Sequence, residues 1–210
     1  MQSTESLLSI TFNVSLAKYG GDLAVGAMTI LTSLLQMVNL PMTGLTQGAQ
    51  PIISYNFGAK QIDRMKKAIR LLVTSSVAYA FVCWLLTRIA PHMLVGLFTS
   101  DPELQQFTVW ALGVYMAMVF VLGIQTSFQQ SFIALGEAKI SLFLALLRKV
   151  ILLIPLILIL PNFFDDKLLA VFLAEPVSDF LAAMTTMTFF LVRVRKIISK
   201  IQQPNLKKES

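Results

Sequence analysis

Apolar runs too long for a small soluble domain set the terms on which this chain can fold. About 18 or more consecutive, mainly apolar residues match the ~30 Å hydrocarbon layer of a bilayer, whereas a buried helix in a water-soluble domain needs fewer. Stretches of that length recur here, among them about 65–87, 140–160 and 167–194. Hydrophobic residues make up 56% of the chain and charged residues only 13%, about half the roughly 25% of soluble domains, so there is too little polar surface to coat a globule in water. The class is an all-α integral membrane protein. The single cysteine, Cys83 in an apolar run, excludes an intramolecular disulfide and a cysteine zinc site. The N-terminal MQSTESLLSITFNVSL has neither a basic leading region nor a small-residue cleavage site, and so is not read as a signal peptide.

Gly44–Arg70, GLTQGAQPIISYNFGAKQIDRMKKAIR, orients the rest. An apolar helix ends in small residues and amides, breaks at Asn56 and Gly58, and gives way to Lys60, Arg64, Lys66, Lys67 and Arg70, the order expected where a span leaves the bilayer on the cytoplasmic side. Six helices alternate around that exit, at about 2–18, 23–54, 65–87, 104–135, 140–160 and 167–194. Together they make a domain over 1–200, followed by a basic cytoplasmic tail at 201–210. Lys139, Arg193, Arg195, Lys196, Lys200, Lys207 and Lys208 fall on the same side as the basic turn. Asp22, Asp101, Glu103, Asp165 and Asp166 gather on the other with only Lys18, Arg88 and Lys167, so both termini are expected in the cytoplasm. The net charge of +6 sits at loops and tail, which suits anionic lipid headgroups and not nucleic acid.

Ordered sequence blocks then carry a resemblance. Gly44–Ala59 (GLTQGAQPIISYNFGA) is the most specific, with Gln47, Gly48, Gln50, Pro51, Asn56 and Gly58 as its signature residues. Lys18–Ala24 (KYGGDLA), Leu122–Ile140 (LGIQTSFQQSFIALGEAKI), Leu147–Pro155 (LRKVILLIP) and Pro176–Asp179 (PVSD) follow in order, the last two contributing Arg148, Pro155 and Pro176. Over essentially its whole length the chain resembles the C-terminal half of a multidrug and toxic compound extrusion (MATE) transporter, most closely the bacterial branch of multidrug efflux pumps. The resemblance implies a six-transmembrane-helix bundle forming one lobe, helices seven to twelve, of a two-lobed alternating-access exporter. It implies organic, often cationic drugs as cargo and H⁺ or Na⁺ as the coupling ion. The missing N-terminal lobe or a second copy of the chain would be its partner, and helix seven would lack its usual first turns.

Charged and amide residues inside the spans are the candidate site. Glu5, Ser9 and Asn13 recur at four-residue spacing and share one helix face, which cannot face lipid and must line a bundle interior or wet cavity. Glu5 is the first ion-coupling candidate: desolvation favours proton uptake by a carboxyl, and its ionised form can hold Na⁺. The resemblance implies the same role, since some members of the family carry a coupling acid in the seventh helix at what looks like this position. The competing reading is a wet, frayed helix end. Glu175 and Asp179 also stack at four-residue spacing, so they either share a cation or proton or, for Asp179, pair with Arg148 as a structural bridge. Where some members carry a tenth-helix acid this chain offers Gln125, Gln129 and Gln130, which can bond cargo or a neighbouring helix but cannot hold a proton.

No H-E-x-x-H, G-x-S-x-G or phosphate loop is present, so no enzyme and no cofactor are expected and an ion gradient is the expected energy source. The expected function is multidrug efflux by antiport at the plasma membrane. A lipid-intermediate flippase of the same superfamily and a truncated, non-transporting membrane protein are the alternatives. The orientation can be tested with a periplasm-activated alkaline phosphatase reporter: fusions at Lys60 and Lys139 are expected to be inactive and a fusion at Asp165 active, and the reverse pattern rejects the topology.

Overall fold

The computed structural model describes residues 2–206, and all of the regular structure in them is helical. The first helical run, Gln2–Gly58, is interrupted at Gly21, whose φ of 62° and ψ of −159° lie in a region that essentially only glycine occupies. A straight helix would separate residues 5 and 36 by about 46 Å at 1.5 Å per residue. Glu5 and Gln36 instead line one cavity, so the chain doubles back at Gly21. We label the two antiparallel legs α1 (2–20) and α2 (22–58). The basic turn leads into α3 (Ile62–Ile89) and the short α4 (Pro91–Gly96). Then come α5 (Pro102–Tyr115), α6 (Val119–Ala134), α7 (Ala138–Asn162) and α8 (Lys167–Leu206). Among the described residues four runs are long and apolar enough to cross a membrane, and the bent α5–α6 pair, taken as one span, makes a fifth. The fold at Gly21 turns the first run into two legs.

Three expectations are corrected. The single helix at 104–135 is two helices meeting at a 50° bend. At Met116–Met118 the Ala117 N–H bonds the Val114 carbonyl at 3.1 Å and the Val121 N–H bonds that of Met118 at 2.9 Å, both three residues back. Ala117 thus keeps no four-residue helical partner for its carbonyl, and the indole Nε1 of Trp84 on α3 donates to it at 3.0 Å. A side chain from a neighbouring helix supplies what lipid cannot. Second, the helix at 140–160 contains a wider π-helical stretch, Leu147–Leu153, just ahead of Pro155, which has no N–H to give to the helix ladder. Third, the last helix does not stop at 194 but runs to Leu206, so the expected tail at 201–210 is helical as far as it is described. Lys207, Lys208 and the rest of 207–210 lie outside the described residues. At the other end of α5, Asp101 caps the helix: its Oδ1 accepts the Glu103 N–H at 3.0 Å.

Two apolar clusters stack along the bundle. One joins Leu8, Phe12 and Leu16 of α1 with Met28 and Leu31 of α2, Leu112 and Tyr115 of α5, Leu153 and Ile157 of α7, and Phe172 of α8. The other, nearer the basic turns, joins Ile53 of α2, Met65, Ile69 and Leu72 of α3, Phe132 of α6, Leu144 of α7 and Phe190 of α8. Between them α6, α7 and α8 contribute polar residues: Gln125 and Ser127, Arg148 and Lys149, and Glu175, Ser178 and Asp179. The spans therefore carry a polar belt at mid-depth, and the site is built there.

α3 and α6 pack closely enough for Gly123 to matter. A Cβ on it would fall 2.6 Å from the backbone carbonyl oxygen of Ser76, an atom that cannot rotate away. Gly123→Ala is expected to lower stability by ~1–3 kcal/mol, the usual range for overpacking, read as a lower unfolding temperature in detergent or nanodiscs. An unchanged transition would show that α3 and α6 can separate freely.

Candidate functional site

A cavity of about 600 Å³ opens among α1, α2, α5, α7 and α8. The Glu5–Ser9–Asn13 face of α1 forms one wall, and Thr32, Gln36 and Asn39 of α2 form the opposite one. Turn spacing along both legs produces this: polar residues recur every three or four positions and face each other across the hairpin. Tyr115 closes the α5 side, and Arg148, Lys149 and Glu175 line the remainder.

Arg148 is the hub. Its Nε donates to Asp179 Oδ1 at 2.7 Å, its Nη2 lies 2.5 Å from the same oxygen, and Nη2 also reaches Glu175 Oε1 at 3.3 Å. Asp179 is 3% and Glu175 6% exposed, so both carboxylates depend on this guanidinium for charge compensation. The backbone joins in: Ser178 Oγ donates to the Arg148 carbonyl at 3.0 Å, within the π stretch. The guanidinium, its carbonyl and three residues of one turn of α8 thus form a single clamp between α7 and α8. The buried Pro176 lies inside that turn, and α8 continues through it.

Lys149, next along the π stretch, turns to the other side and forms an ion pair with Glu5. This pair is wetter than the first: the Lys149 side chain is 28% exposed and that of Glu5 59%. Glu5 is therefore neither buried alone nor idle, and its partner is a residue that the sequence marks only as an interior positive charge. The pair joins positions at opposite ends of the chain, and nothing in either neighbourhood announces it.

The other sequence candidates separate. Asn13 lines the cavity with Glu5 and Glu175. Gln125 does not: it is 2% exposed, and its Oε1 has no hydrogen-bond partner. Gln129 donates to the Ser141 carbonyl at 3.3 Å, and Gln130 to Gln50 Oε1 at 2.6 Å, so two of the three amides tie helices together. Residues of the signature block make bonds of the same kind. Gln50 is the acceptor in that bond, and Asn56 donates to the Ile52 carbonyl at 2.7 Å. Gly48 lies in an apolar groove beside α3, Gln47 is exposed and Gly58 ends α2. Pro51 stays within the helix. Among the described residues no group of three or more His, Cys, Asp or Glu side chains is arranged to hold a metal ion.

Apolar helices enclosing a charged, water-accessible cavity define a multi-pass membrane protein. The MatE family model matches residues 1–159, and the chain belongs to that family. The Multidrug export protein MepA of Staphylococcus aureus (strain N315) is 30% identical over 187 residues, 89% of this chain and 40% of that protein. The MepA of Staphylococcus haemolyticus is 29% identical over 175 residues, 82% of this chain and 38% of that protein. Among solved structures, the MATE multidrug transporter DinF-BH, solved as a complex, is 34% identical with a TM-score of 0.78, over 94% of this chain and 44% of that one. A MATE in the bent conformation reaches a TM-score of 0.88 at 14% identity, over 95% of this chain and 44% of that one, a likeness of fold alone. The chain spans about 40% of the length of the MepA relatives.

The clamp generates a test. Arg148→Met leaves Asp179 and Glu175 buried without a counter-charge and is expected to cost ~3–5 kcal/mol. Adding Asp179→Leu should recover part of that loss, because a buried charge is removed with its partner. Thermal unfolding of the single and double variants measures both. A double variant less stable than Arg148→Met would show that Asp179 has stabilising partners besides the arginine.

Proposed function

We propose that this chain is one lobe of a multidrug exporter that moves organic cations out of the cell in exchange for H⁺ or Na⁺. The observation that carries the reading is the charge balance at the cavity. Glu5, Glu175 and Asp179 face Arg148 and Lys149, three carboxylates against two cations, so the ionised cluster holds one excess negative charge. An excess negative charge at mid-depth in a span is costly unless something positive can share the cavity. A proton, a Na⁺ or a monovalent organic cation each supplies that charge, and taking them in turn is what antiport requires. The MepA relatives, named as multidrug export proteins, and DinF-BH, named as a multidrug transporter, support the cargo class.

Within this reading Glu5 is the coupling carboxylate, because it is the most accessible acid of the cluster. Asn13 and Glu175 contact cargo, and Asp179 holds Arg148 in place. The cavity is one wall of a larger central space, completed by a first lobe or a second copy of this chain. The membrane is the bacterial plasma membrane, with both termini in the cytoplasm.

The test is accumulation of a fluorescent organic cation in cells lacking their own exporters. This chain joined in frame to a MATE first lobe is expected to lower accumulation, and Glu5→Gln in that protein is expected to reduce gradient-driven efflux to background. Cells carrying the joined protein that accumulate as much as the empty control reject the export reading. Unchanged, gradient-dependent efflux by Glu5→Gln removes Glu5 from the coupling.

A further inference from the structure

We infer that Lys149 is a tethered cation that occupies Glu5 when the cavity is empty and sets which cargo can load. The inference rests on the cation-cargo reading above, and names a residue that determines specificity within it.

Each of the five charged side chains of the cavity cluster has a partner, but the partners are unequal. Arg148 is fixed by three polar contacts to two buried carboxylates and by the bond from Ser178 to its own carbonyl. Moving it would strand Asp179. The Glu5–Lys149 pair joins two partly exposed groups, on α1 and α7, at the wall of the cavity. It is the pair that can open without burying a bare charge, since water reaches both ends. An incoming monovalent cation that needs a carboxylate therefore meets Glu5 already covered by an ammonium attached to α7.

The released lysine has somewhere to go. Glu175 lines the same cavity and is held by Arg148 through one long contact of 3.3 Å, so one of its oxygens is free to accept a second cation. Cargo arrival at Glu5 and transfer of Lys149 towards Glu175 then exchange one ion pair for two. A neutral molecule has no such exchange to offer and leaves the pair closed across the cavity. Lys149 thereby favours cargo that carries its own positive charge, and lowers the apparent affinity of that cargo by the fraction of time the pair is closed.

The experiment uses this 210-residue chain joined in frame to a MATE first lobe, in lipid nanodiscs, with tetraphenylphosphonium as the monovalent organic cation, and measures binding at equilibrium. An ion pair of this exposure is closed about five times as often as it is open, so Lys149→Met is expected to bind tetraphenylphosphonium about sixfold more tightly than wild type. Lys149→Arg should keep wild-type affinity. The gain must disappear in Glu5→Gln/Lys149→Met, because the competition is for that carboxylate. Unfolding temperatures of all variants establish that each is folded. A Lys149→Met gain that persists with Glu5→Gln would mean that lysine only repels cations through space, and would overturn the inference, as would no gain at all. If no variant binds tetraphenylphosphonium, Lys149→Met included, the inference and the cation-cargo reading fall together. If wild type binds it and Lys149→Met is no tighter, only the inference falls.

Discussion

The clamp of Arg148 on Asp179 is the interaction around which the bundle is arranged. A guanidinium at mid-depth in an apolar helix is tolerable only when its charge is compensated, and here it is compensated by two carboxylates one turn apart on α8. That requirement fixes the rotation of α7 against α8 and the height at which they meet. The π stretch at Leu147–Leu153 belongs to the same solution. It widens the coil where Arg148 and Lys149 follow one another, so consecutive cations serve different partners: Arg148 the buried pair on α8, Lys149 the wet acid on α1. The apolar clusters above and below exclude water from α8 at either end of the clamp, leaving the cavity side as the wet approach.

Broken backbone follows a second constraint, that no polar backbone group can be left to lipid. The bend between α5 and α6 shows how this is met without proline or glycine at the break: Met116–Met118 shift to three-residue bonding and the Trp84 indole takes the freed Ala117 carbonyl. The break thus lies on α6's side of the interface but is secured from α3. Close approach at Gly123, where α6 backs directly onto the Ser76 backbone, brings α3 near enough to help.

How much of this is legible in the residues follows from the range of each signal. Features written in local order are readable: the apolar spans, the basic turn after Gly58, the cap at Asp101 and the reversal at Gly20–Gly21. So is the bond between Arg148 and Asp179 as one of two readings, since a buried arginine demands an acid and PVSD on the next helix supplies one. Features that depend on what another helix brings are not readable. Nothing in VYMAMVF marks a bend, because its cause is a tryptophan on α3. Nothing in LRKVILLIP separates the roles of Arg148 and Lys149, because Lys149 acquires its partner only when α1 folds back against α7. The glutamines stay open between cargo and a neighbouring helix for the same reason: Gln125, Gln129 and Gln130 share a segment, yet two bond to Ser141 and Gln50, and the third is buried away from the cavity.

The distribution of strong and weak pairing gives the lobe a division of labour. α7 and α8 are joined by a buried, multiply bonded clamp that any movement would break at high cost. The α1–α2 hairpin meets that rigid pair through apolar contacts around Phe12 and Met28 and through the exposed bond from Glu5 to Lys149. Its turn rests on the positive-φ glycine at position 21. A bundle built this way yields at α1 before it yields anywhere near Arg148. The accessible carboxylate lies on the part free to move, and the arginine that must stay compensated lies on the part that is fixed. Relocating the acid to α8 or the arginine to α1 would reverse that arrangement, so which helix carries each charge matters as much as the net charge of the cavity.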